Sequence, residues 1–110
     1  KAYYSSLRQF KSKVKSQEVI ICKDDMAGTL EELEKKYTGK VKIVEKAEYD
    51  KALFGEEEVL LLVSLKSESI YCSLSVVSNK GVVYSADMNT SAAKKGWDKE
   101  YLHRFFKNLN

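Results

Sequence analysis

Val59-Leu60-Leu61-Leu62-Val63-Ser64-Leu65 is the stretch on which the fold turns. It is short and apolar, and Glu56-Glu57-Glu58 marks a solvated turn before it, which together read as a strand. A strand with one wet face alternates in polarity, whereas this one carries nothing polar before Ser64. It is therefore expected to be buried on both faces, at the centre of a sheet.

Toward the C-terminus the pattern changes. After a turn candidate at Ser67-Glu68-Ser69, the residues Ile70, Cys72, Leu74 and Val76 alternate with Tyr71, Ser73 and Ser75. Period two with one polar set predicts a strand buried on one side only. Ser78-Asn79-Lys80-Gly81 suits a type I turn with Gly81 in the left-handed region, so the chain should return antiparallel as a fifth strand from Val82 to Ala86 or Met88. A small, polar stretch from Asn89 to Gly96 follows. Trp97 then packs at the entrance of a last helix, which Asp98 caps and which buries Tyr101, Leu102, Phe105, Phe106 and Leu109.

Toward the N-terminus, Ala47 to Phe54 reads as a short helix with Tyr49, Ala52 and Leu53 as anchors and Gly55 as its stop. Val41 to Val44 is a strand. Thr29 with Glu32 forms a Thr-x-x-Glu capping box, opening a helix over 29–37 with Leu30, Leu33 and Tyr37 inward and Gly39 ending it in a left-handed conformation. Val19 to Lys23 is a β-branched, doubly buried strand. Ahead of it, Tyr3 or Tyr4, Leu7, Phe10 or Lys11, and Val14 recur at helical spacing and predict an amphipathic helix ending near Ser16 to Glu18.

The expected fold is mixed α/β: a single five-stranded mixed sheet, in the order α-β-α-β-α-β-β-β-α, with helices on both faces. The two early β-α-β crossovers, read as moving in one direction, put the 29–37 and 47–54 helices on the same face and the terminal helices on the other. No proline, repeat or low-complexity tract interrupts the chain, so residues 1–110 read as one domain. A chain of this length buries roughly two thirds of its unfolded surface, enough for one core.

Hydrophobic residues at 44% and charged residues at 32% exclude a disordered or collagen-like chain and predict a soluble domain. The longest apolar run, Val59 to Val63, is far too short to span a bilayer. The net charge of +3 is low for a nucleic-acid binder but unevenly spread: +5 over residues 1–23, −5 over 24–58 and +3 over 59–110. A basic N-terminal helix or an exposed sheet edge is therefore the expected route to a protein partner. Because the sequence opens on Lys1 rather than Met, it reads as a processed or a trimmed chain; removal of an export signal is one of these readings, and it favours a periplasmic or secreted setting over the cytoplasm. Cys22 and Cys72 both fall in strands and read as buried free thiols ahead of a disulfide.

The chemistry-bearing candidates are few. Asp24-Asp25 follows the first strand at the carboxyl edge, where open α/β sheets place ligands, and adjacent carboxylates suit Mg²⁺. The same pair favours a helix start by charge alone. The run from Val19 to Asp25 resembles the opening of response-regulator receiver domains, but the third strand ends in Ser64 to Lys66 without a phospho-acceptor Asp and a hairpin follows. Gly28-Thr29 at a helix start offers free N–H groups to an anion, without a phosphate-loop motif around it. Tyr71 stands on the polar side of the fourth strand, and with Tyr3, Tyr4 and Tyr84 it has the aromatic character of an RNA-stacking surface but no matching motif. His103 has no cysteine or carboxylate spacing that would make a zinc site, and no Ser sits in a nucleophile elbow. The expectation is a non-enzymatic binding domain with Asp24, Asp25, Thr29 and Tyr71 as binding candidates, and with no catalytic residue, metal or cofactor. The alternative is a small metal-dependent enzyme or ligand site around Asp24 and Asp25.

Overall fold

The computed structural model describes residues 12–26, 28–66, 72–89 and 99–110. Five strands, β1 (Glu18–Cys22), β2 (Lys40–Val44), β3 (Leu60–Lys66), β4 (Cys72–Ser78) and β5 (Val83–Asn89), form one sheet in the order β2-β1-β3-β4-β5. The helices are α1, helical over residues 12–16, α2 (Leu30–Glu34), α3 (Lys46–Leu53) and α4 (Lys99–Lys107), with a 3-10 turn at Lys23–Asp25. The fold is mixed α+β, as expected. The early part of the N-terminal helix (Tyr3, Tyr4, Leu7, Phe10), Ser67 to Tyr71, the stretch from residue 90, Trp97 and Asp98 lie outside the described residues.

The apolar run occupies the middle position. β3 pairs parallel with β1 through Val19↔Leu60 and Ile20↔Leu61, and antiparallel with β4 from Leu60↔Ser78 to Lys66↔Cys72. Leu60, Leu61 and Leu62 are all fully buried, which requires cover on both faces. Alternation then sorts the sheet, because residues paired across strands share a face. One face carries Val19, Ile21, Leu60, Leu62, Leu74 and Val76, and packs against Leu33 and Tyr37 from the α2 region and against the apolar stripe of α4. Tyr37 meets Phe106 with ring centroids 5.1 Å apart. The other face carries Cys22, Val44 and Leu61 beneath α3.

The expected placement of the helices is corrected here. The crossovers run in opposite directions, from β1 outward to β2 and from β2 back past β1 to β3. Crossovers of one hand that reverse direction place their helices on opposite faces. So α2 shares a face with α4, while α3 stands alone on the other among the described residues.

One glycine reading changes. Gly39 does not have positive φ; among the described residues Gly28 (+85°) and Gly81 (+94°) do, and Gly55 follows the end of α3 as expected. Gly39 lies against the Tyr37 ring, where a Cβ would collide, so its need is close approach rather than handedness. Regular α2 stops at Glu34, and Leu30 stays on its exposed side. Cys22 is a free, buried thiol. The whole of β3 separates β1 from β4, and two strand spacings of about 4.8 Å exceed the ~7 Å Cα reach of a disulfide.

The hairpin turn forms as read, with Gly81 N–H donating to Ser78 O at 3.0 Å and Ser78 N–H to Val82 O at 2.7 Å. Its Asn79 does more than turn. The amide Nδ2 donates to the carbonyls of Ala52 (3.2 Å), Gly55 (3.1 Å) and Glu57 (2.8 Å), and Oδ1 accepts from Val59 N–H at 3.0 Å. One side chain thereby ties the end of α3 to the start of β3. Asn79→Ala should lower the unfolding free energy by about 2 kcal/mol in urea melts. Asn79→Asp, which keeps the acceptor but sets a carboxylate against three carbonyls, should cost at least as much; a smaller loss would mean the amide donors contribute nothing.

Candidate functional site

The parallel strands end together at one edge, and strand order and helix placement identify a switch point there between β1 and β3. Ligands of open α/β sheets bind at such points, because loops leaving toward opposite faces open a crevice. Here β1–β3 pairing stops at Ile20↔Leu61 although both strands continue. Just past it, the Tyr49 hydroxyl reaches up from α3 and donates to the Leu62 carbonyl at 2.6 Å. Burial, reinforced by the negative charge of Asp25 and then by Cys22 and Asp50, pushes Tyr49 up to about 12. Its proton is held, so Tyr49 is a fixed donor and not a base at neutral pH. Two residues on, the Ser64 hydroxyl is buried with no hydrogen-bond partner among the described residues.

Asp24 and Asp25 sit at this edge on the 3-10 turn, Asp24 exposed and Asp25 half-buried beside Tyr49. Lys23 beside them pairs with Glu45 at 3.3 Å, joining the end of β1 to the start of α3. Among the described residues no three His, Cys, Asp or Glu side chains converge as metal ligands. Tyr71, the fourth binding candidate, lies outside the described residues.

Thr29 stands apart from the acid pair, in a complete capping box. Its Oγ1 accepts from Glu32 N–H at 3.2 Å, and its own N–H donates to Glu32 Oε2 at 3.1 Å. The helix start thus already holds a carboxylate. Gly28 lets the incoming chain pass close to Lys99 and Glu32, which form an ion pair at 3.4 Å between α2 and α4. The Thr29 N–H bond chiefly, with Lys99 next and burial opposing, keeps Glu32 below the ordinary carboxylate range.

Two further surface clefts open among the described residues. One, of about 390 Å³, lies between Glu48, Lys51 and Glu56-Glu57 over the Ala52 and Val59 side chains, beside the segment that Asn79 ties down. The other, of about 360 Å³, lies between Lys36 and the Glu100, His103, Arg104 and Lys107 face of α4. The first is built within residues 48–59, where α3 turns into β3, whereas the second joins Lys36 to α4, remote along the chain. The second had one signal, the i, i+3, i+4, i+7 spacing of its α4 members.

Because Glu32 is depressed in the folded state, its contribution to stability is present above the ordinary carboxylate range and fades as pH falls through its lowered folded value. Glu32→Gln should therefore lower stability at pH 7 and flatten the acid limb of the stability–pH curve below about pH 4.5; parallel wild-type and variant curves would contradict this. Comparison of the chain with protein-family models, with curated proteins and with solved structures returns no match.

Proposed function

We propose that this domain is a non-catalytic binding module of an exported protein, and that it takes an extended peptide segment on the β5 edge and the adjoining open face of β3, β4 and β5. The observation that carries this reading is how unevenly the sheet is covered. Beyond the reach of α3, the second face presents Ser73, Ser75, Val77 and Ala86 at least partly to solvent, with Leu65 58% and Val83 53% exposed. Among the described residues β5 has β4 as its sole strand neighbour. The opposite edge strand, β2, carries exposed Lys40 and Lys42, the usual device against edge pairing. No lysine interrupts β5, and exposed Val82 and Val83 stand at its start. Strand addition would bond a partner's backbone to β5 while its alternate side chains meet the apolar and hydroxyl-bearing face.

Selection of displayed peptides on the domain, followed by amide-shift mapping of the selected sequences, tests this. Shifts should gather on Val83–Asn89 and on Ser73–Val77. Val83→Lys should weaken binding at least tenfold while changing stability by less than about 0.5 kcal/mol. Shifts gathered elsewhere, or binding unaltered in Val83→Lys, would refute it.

A second reading has its own support in the divergence of β1 and β3 at the switch point. In it a metal or small ligand sits at Asp24 and Asp25. Titration with Mg²⁺ should then move the Asp24 and Asp25 amides in a saturable way; unchanged shifts at millimolar metal sink that reading.

A further inference from the structure

We infer that the cleft between the end of the α2 segment and α4 is a binding site for a small, hydroxyl-bearing phosphate ester. It is lined by Lys36, Glu100, His103, Arg104 and Lys107, three fixed cations against one carboxylate. Five lysines elsewhere on the described surface are neutralised: Lys13 by Glu58, Lys23 by Glu45, Lys42 by Glu48, Lys46 by Asp50 and Lys99 by Glu32. Lys36, Arg104 and Lys107 have no such partner among the described residues. Three unneutralised cations brought together from two segments repel one another, and a polyvalent anion relieves that repulsion.

The Arg104 guanidinium and the backbone of Lys36 are also held in place. Arg104 lies over the Tyr101 ring, 5.6 Å from its centroid, which restrains the flat guanidinium whose paired N–H groups match two phosphate oxygens. The opposite wall is tied by Asn110, whose Nδ2 donates to the Lys36 carbonyl at 2.8 Å and whose Oδ1 accepts from both Thr38 N–H and Thr38 Oγ1 at 2.9 Å. Lys36 is thus anchored to the far end of α4.

An independent observation comes from His103. It lines the same cleft, yet its Nε2 is buried without a hydrogen-bond partner among the described residues. Buried polar atoms are nearly always paired, so an unpartnered nitrogen on a residue lining the cleft points to a ligand group there. Glu100 narrows the class further. A carboxylate repels a bare phosphate but accepts from a hydroxyl, so the favoured occupant carries its phosphate toward Arg104, Lys107 and Lys36 and a hydroxyl toward Glu100. The cleft volume of about 360 Å³ admits such a molecule and falls near the lower end of small-ligand sites.

Amide-shift titrations with glycerol 3-phosphate, inorganic phosphate, glycerol and chloride at matched ionic strength test the proposal on the whole domain. Saturable shifts at Lys36, His103, Arg104, Lys107 and Asn110 are expected with both phosphates, several-fold tighter for the ester. Arg104→Gln and His103→Gln should each weaken binding about tenfold or more, whereas Lys80→Gln on the hairpin turn should not. Glu100→Gln should abolish the preference for the ester. Unchanged spectra of each variant outside the cleft establish that it is folded. Shifts that never saturate, that chloride reproduces, or that survive Arg104→Gln would overturn the site. Equal affinity for ester and inorganic phosphate would overturn the ligand class. Arg104-dependent sedimentation with phosphatidylglycerol vesicles, without binding of the soluble ester, would overturn it in favour of a lipid headgroup.

Discussion

Burial of β3 on both faces is the constraint from which the other placements follow. Leu60, Leu61 and Leu62 point alternately to opposite sides, and all three are fully buried. Each fully buried leucine is worth roughly 1.5–3 kcal/mol of transfer free energy, so leaving either side bare would forfeit a sizeable part of the few kcal/mol by which a domain of this size is stable. Cover must therefore come from two directions. α2 and α4 supply it on one side and α3 on the other, and β3 joins the parallel half of the sheet to the antiparallel half.

The two sides are not built alike. Under α2 and α4 the core is continuous from Val14 through the sheet to Leu109, with aromatic rings from α4 at its centre. The α3 side is small and is held by directed polar contacts: Tyr49 to the Leu62 carbonyl, and Asn79 to the segment between α3 and β3. Covering β1 and part of β3 with one short helix leaves the same face of β4 and β5 partly open. The exposed valines of β5 are thus a direct consequence of how little of that face α3 spans.

Charge follows the same geography. Glu48, Glu56 and Glu57 gather around α3 and the loop after it in a carboxylate-rich cleft. The basic cleft lies on the opposite layer, where the end of the α2 segment meets α4. Helix ends bring these residues together. Lys36 shares a cleft with Arg104 and Lys107 where Tyr37 packs on Phe106 and Asn110 bonds to the 36–38 segment.

By itself the sequence determined the elements and their patterns: a doubly buried run at Val59 to Val63, alternation from Cys72 to Val77, a capping box at Thr29 and Glu32, a left-handed Gly81 and an apolar stripe from Tyr101 to Leu109. Each depends on neighbours within a few residues, so local periodicity and turn chemistry suffice to reveal it. Tertiary structure alone decided the direction of the second crossover, and with it the face of α3, because strand order depends on which buried surfaces fit together and leaves no local mark. It likewise decided that Asn79 anchors a segment some twenty residues away, that Gly39 is needed beside the Tyr37 ring, and that Lys36 stands opposite Arg104. The acid pair Asp24 and Asp25 was legible as a pair, but its closeness to Tyr49 was not, since that depends on α3 crossing back beneath the end of β1.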